Sequence, residues 1–211
     1  MAASKKTASK KTKAKKVKPA NNKPALNSDA QFYHDVFDLI AKEGWFSLTL
    51  PALAKATGVS LAELLKSHPD KSSILTSFGR YIDTQIANNS FESTEPLKDK
   101  LFDLVMRRFD ALSPFRAGVV RLMEELQSHP VGAVMLCLET LCGFSRSMTL
   151  MFEMAGISSS HPRAVLGVIG LKIVYLSTLR TWKHDVSPDL SATMAILDKG
   201  LNRLIKVLHF D

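Results

Sequence analysis

The chain has 211 residues, 45% of them apolar, with a formal net charge of +8, and is long enough for one large or two small domains around a real core. No uncharged apolar run reaches the ~18 residues that a membrane span requires, and the most apolar stretch, 164–179, carries Lys172. The N-terminus has neither an apolar signal core nor a cleavage signature, and all its basic residues are Lys where a transit peptide favours Arg, so cytoplasm is the expected compartment.

Residues 1–24 hold nine lysines and no acid, leaving 19 basic side chains against 20 acidic ones in the rest. Such a like-charged run, rich in Lys, Ala, Ser and Thr, cannot bury enough surface to offset the cost of ordering, so a disordered tail is expected. One use for it is nucleic-acid binding, since each lysine that neutralises a phosphate releases counterions and adds sequence-blind affinity. A solubilising tail or an anionic-membrane contact fits the same composition.

Past the tail the pattern is helical, with neither repeats nor strand-like alternation, and about nine helices are expected. Ser28-Asp29 can cap a first helix with Phe32, Val36, Phe37, Leu39 and Ile40 at helical spacing, stopping at Gly44. A short second helix follows from Thr49 to Ala56, and Gly58 suits the left-handed conformation that ends it. Ser60 and Glu63 form a capping box for a third helix, which Pro69-Asp70 ends. A fourth runs from Lys71 to about Asn88, with Ile74, Leu75, Phe78, Tyr81, Ile82 and Ile86 inward.

Leu97, Leu101, Leu104, Val105 and Leu112 mark a fifth helix, ended at Pro114. A sixth runs to about Gln127, a seventh from Pro130 to Ala155, and an eighth from Ser160–Pro162 to about Trp182. Ser187-Pro188-Asp189 offers a cap, a first-turn proline and a first-turn acid for the ninth. In that helix Leu190, Met194, Leu197, Leu201 and Leu204 recur at alternating spacings of four and three, a seam that serves an internal bundle or a dimer contact. Cys137 and Cys142 fall on different faces of the seventh helix, as buried thiols rather than a metal or disulfide pair.

Two short helices around a glycine turn form the arrangement that places a recognition helix in a major groove. The residues from Leu48 to Leu75, LTLPALAKATGVSLAELLKSHPDKSSIL, resemble the DNA-binding module of TetR-family regulators: Thr49, Leu53-Ala54, Gly58-Val59-Ser60, Leu64, Pro69 and Lys71 match its motif. Behind the tail (1–24), the resemblance implies an all-α fold with a helix-turn-helix module (25–90) and a helical ligand-binding and dimerisation domain (91–211). It implies that Thr49 and Lys71 hold phosphates of double-stranded DNA, that Ser60, Leu61 and Lys66 face the groove, and that Lys55 joins the same interface. Three positions depart from the motif: Leu65 replaces a Tyr, His68 a Phe, and Ala62-Glu63 a Gly-Thr pair. Residues 25–90 carry five basic and seven acidic side chains, so phosphate affinity would lean on the tail.

A second stretch, VYLSTLRTWKHDVSPDLSATMAILDKGL from Val174 to Leu201, is similar to the C-terminal region of TetR-shaped ubiquinone-biosynthesis accessory proteins. Lys98 to Pro114 is similar to an earlier helix of theirs. That likeness implies an isoprenoid lipid in the helical domain. The methionines and rings of the second half suggest an apolar pocket lined by Phe109, Met135, Met148, Met151, Phe152 and Tyr175, with simple core packing as the other reading.

No catalytic arrangement stands out. The six histidines are scattered without metal-ligand spacing, and neither a phosphate loop nor a nucleophile motif occurs. The expectation is a protein that is not an enzyme and needs no cofactor or metal. Two functions remain: a dimeric DNA-binding regulator responding to an apolar small molecule, and a lipid-binding accessory protein with a degenerate helix-turn-helix.

Overall fold

The computed structural model describes residues 25–87, 95–129, 143–160 and 162–208, all helices and their connections. The expectations for the tail, for the start of the seventh helix, and for Met135, Cys137 and Cys142 fall outside these residues. In chain order the helices are α1 (Ala25–Glu43), α2 (Leu50–Thr57), α3 (Leu61–Ser67), α4 (Lys71–Ile86), α5 (Leu97–Leu112), α6 (Arg116–Ser128), α7 (143–154), α8 (Pro162–Trp182) and α9 (Ser191–Leu208). A 3-10 turn, Ser113–Phe115, joins α5 to α6. No strand occurs among the described residues.

The apolar periodicity of α1 turns Tyr33, Val36, Phe37 and Ile40 inward. They meet Phe78 of α4 and Phe115, in an aromatic cluster where Phe37 and Phe78 lie 4.1 Å apart between ring centroids. Helix α6 packs along α1, and Gly118 permits this approach: a Cβ there would stand 2.4 Å from the Phe37 carbonyl oxygen. Helix α6 is also tied to the far end of the molecule, where Arg116 donates to the backbone oxygens of Trp182 and Asp185 and its guanidinium lies over the Trp182 ring. Lys183 pairs with Glu124 at 3.0 Å. Helix α6 thus braces the N-terminal module against the C-terminal helices.

The starts of α1 and α9 differ from the sequence reading. Helix α1 is helical from Ala25, ahead of Ser28-Asp29. Helix α9 begins at Ser191 rather than directly after Ser187-Pro188-Asp189. Those residues form a turn in which the Leu190 amide donates to the Ser187 carbonyl, and Leu190 itself takes φ +51°. The acid that caps α9 is Asp185, whose Oδ2 accepts from the Thr193 amide at 2.8 Å and hydroxyl at 2.7 Å. Satisfying an orphan amide of the first turn from an earlier buried carboxylate helps fix where the helix starts.

Among the described helix pairs, α8 and α9 pack most extensively, with α5 also against α9. Along the α9 seam, Leu190, Leu197, Leu201 and Leu204 are buried within the single chain, and of the five expected dimer residues Met194 is exposed, at 39%. The outward apolar face lies instead on α8, where Val165, Leu166, Ile169, Ile173 and Leu176 are between 49% and 66% exposed. By length and composition alone, Arg163–Trp182 is long and apolar enough to cross a membrane, despite Lys172.

Candidate nucleic-acid interface and helical-domain cleft

The turn between α2 and α3 is built by its caps. Thr49 caps α2 by accepting from the Ala52 amide at 3.4 Å, Pro51 follows in the first turn, and Gly58 ends the helix at φ +67°, a conformation natural to glycine. The Ser60–Glu63 capping box is present in both directions. Leu53, Ala54 and Leu64 bury the inner faces, which fixes α3 with its other side in solvent.

That outer side shows Ser60, Leu61, Ala62, Glu63, Leu65 and Lys66. Thr49 and Lys55 are exposed on the same module. Five of the six sequence-predicted contact residues therefore reach solvent, and the sixth does not reach it freely. Lys71 is half-buried, its Nζ donating to the Trp45 carbonyl at 2.8 Å and the Leu48 carbonyl at 3.1 Å, with the Trp45 ring beneath it. Burial lowers its pKa. Its cation is spent on closing the α1–α2 turn.

The charge at the start of α3 is negative. Glu63 is held below the usual carboxylate range by the Ser60 hydroxyl, which donates to it at 2.8 Å, and by the Ser60 amide. Lys66 is the one basic side chain on α3. The exposed leucines, Leu61 at 40% and Leu65 at 42%, give this face an apolar body.

A residue that the sequence reading did not single out holds the module to the rest. Glu125 of α6 is buried and accepts from the Trp45 amide at 2.5 Å and the Phe46 amide at 3.3 Å. Its position among the inward-facing residues of α6 was the available signal, and a lone acid on a helix reads as solvated until its partner, 80 positions away in the chain, is known.

In the second half, Phe109, Met148, Met151, Phe152 and Tyr175 are all buried. Phe109 stacks on Tyr175 with centroids 5.1 Å apart and 8° between planes, and burial pushes the Tyr175 phenol up. None of these five residues lines the hollow beside them. The hollow beside them, about 130 Å³, lies between α4, α5 and α7 and includes Leu75, Asp83, Arg108, Phe144 and Ser147. Asp83 and Arg108 form a buried ion pair in its wall. A sequence signal for this pair exists: Arg108 stands in register with Leu101, Leu104, Val105 and Leu112, on the buried face of α5. No group of three potential metal ligands occurs among the described residues.

No protein-family model matches the sequence, and comparison with curated proteins finds no match. Solved structures do match. A TetR transcriptional regulator from Nitrosomonas europaea ATCC 19718 is similar with a TM-score of 0.63 at 19% identity, over 87% of this chain and 99% of that one. A TetR transcriptional regulator from Rhodococcus sp. RHA1 gives 0.56 at 13% identity, over 87% and 97%. A TetR-family regulator from Streptomyces coelicolor gives 0.55 at 18% identity, over 88% and 83%. The chain has the TetR-regulator fold.

Proposed function

We propose that this chain is a DNA-binding transcriptional regulator of the TetR kind, acting in the cytoplasm as a homodimer and responding to a small molecule in its helical domain. The observation that carries the reading is the capped α2–turn–α3 unit, which buries one side of α3 and leaves the other exposed to solvent. In this reading Ser60, Leu61 and Lys66 enter the groove, while Thr49 and Lys55 stand at the phosphates. The nine lysines of residues 1–24 supply the electrostatic affinity that the module lacks. A ligand that shifts α4 moves the helix-turn-helix with it, which changes how two modules fit half-sites one helical turn apart.

The test is binding to genomic fragments with and without residues 1–24, followed by Lys66→Ala. The variant is expected to weaken binding of a selected fragment and to lower the slope of log affinity against log salt by about one. Unchanged affinity would remove α3 from the groove. Lys66 is a cleaner probe than Lys71, whose loss would also open the α1–α2 turn.

A second reading is favoured by a specific feature of α3. Its face sets Glu63 against Lys66 between two exposed leucines, a poor match to phosphate. In that reading the chain is a lipid-binding accessory protein of ubiquinone biosynthesis, and the helix-turn-helix no longer reads DNA. Native mass spectrometry of protein from its own host separates the two. A co-purified isoprenoid, together with DNA affinity that vanishes without the tail, supports the accessory protein. Selective binding by the tailless chain supports the regulator.

A further inference from the structure

We infer that the cleft between α4, α5 and α7 takes an organic oxyanion, a carboxylate or phosphate head on a short apolar chain, held by Arg80 and Arg146. This deepens the small molecule named above and rests on the regulator reading for its regulatory meaning.

An inner cleft of about 130 Å³ and a more open groove of about 420 Å³ share Arg80, Asp83 and Arg146 in their walls. Three arginines line the inner cleft, Arg80 on α4, Arg108 on α5 and Arg146 on α7. The acid among them is already used. One oxygen of Asp83 accepts from Arg108, and the other accepts from the Ser147 hydroxyl at 2.6 Å. Among the described residues neither Arg80 nor Arg146 makes an ion pair. Arg108 is 6% exposed, and its buried Nε–H has no acceptor. Glu153, exposed on the outer groove, is the other acid of these walls.

A concave site in which Arg80 and Arg146 make no ion pair among the described residues, over a desolvated floor, focuses positive potential. The planar guanidinium fork matches carboxylate and phosphate oxygens better than it matches any neutral head. Leu75 and Phe144 in the inner cleft, and Leu150 in the groove, give an apolar chain somewhere to lie. Arg80 sits on the helix whose first residue, Lys71, clasps the α1–α2 turn, so an anion bridging Arg80 and Arg146 ties α4 to α7 and bears on the helix-turn-helix.

Calorimetric titration of the full-length, ligand-free chain tests this with octanoate, octyl phosphate and octanol as probes. Either anion should bind once per chain, with octanol at least about tenfold weaker, and the tighter anion names the head. The double variant Arg80→Gln, Arg146→Gln changes two exposed side chains and should keep the parent circular dichroism spectrum while losing at least about tenfold in anion affinity. The inference is overturned if neither anion binds, if octanol matches them, or if the folded double variant binds as the parent does. Fragment selection is scored separately. Selective DNA binding without anion binding sinks only the cleft assignment, and anion binding without DNA selection sinks only the regulator reading.

Discussion

Two buried carboxylates show how single residues hold this molecule together across long stretches of chain. Glu125 satisfies two amides of the α1–α2 turn that would otherwise be cut off from water. Leaving such donors unmatched is costly, so Glu125→Ala should lose about 2 kcal/mol in urea unfolding, while Glu125→Gln, which keeps an acceptor, should lose less. Equal losses in the two variants would show that the side chain acts by volume rather than as an acceptor. Asp185 accepts from the amides and hydroxyls of both Ser187 and Thr193, and these bonds hold its carboxyl well below the usual carboxylate range. A depressed native pKa stabilises the fold above the unfolded value of ~3.9 and ceases to do so as pH falls through the native value. Asp185→Asn should therefore be less stable than the parent at neutral pH, and the gap should close on acidification below about pH 4. A gap that does not vary with pH would assign the effect to packing instead.

At the level of elements, the helices are positioned by their ends and by one close approach. The Ser60–Glu63 box and the Gly58 turn set the direction of α3 before any distant contact is made. The contact of α1 with α6 depends on a missing side chain. Gly118→Ala would drive a methyl into the Phe37 carbonyl, and backbone cannot yield as a flexible side chain can. The expected cost is about 1–3 kcal/mol, read as a lowered unfolding midpoint. Because α6 also clasps the end of α8 through Arg116, the same change should loosen the brace between module and helical domain, seen as faster amide exchange around Trp45. An alanine variant as stable as the parent would show that the helices separate at no cost.

At the scale of the whole molecule, the outward apolar stripe of α8 stands out among the described residues. Its inner face is packed on α9 in the manner of a bundle, and five apolar residues point away from it. A contiguous patch of this kind asks for cover, and a second copy of the chain is the occupant in the proposed dimer. Ile173, 66% exposed, is the most open residue of the stripe within α8. Ile173→Glu should yield folded monomers on a sizing column, and a variant that stays dimeric would place the interface elsewhere. Leu201→Glu is a poorer probe, because Leu201 is fully buried within its own chain and a charge there would unfold it.

The amino-acid sequence by itself determined the all-α class, the order of the helices, and the caps and glycine turn around α2 and α3. Those features depend on periodicity and on bonds between residues three or four apart, so neighbours in sequence carry the whole signal. The tertiary structure alone decided which apolar faces were surplus. A seam of leucines in α9 looks the same whether a helix of the same chain or of another covers it, and α8 turned out to cover it. It also decided the partners of the charged residues. Lys71, matched by motif to a phosphate, spends its cation on two carbonyls more than 20 residues earlier, and Asp83 meets Arg108 and Ser147 across 25 and 64 positions. Bonds between groups so far apart in the chain leave no local pattern, because only the folded packing brings them within reach.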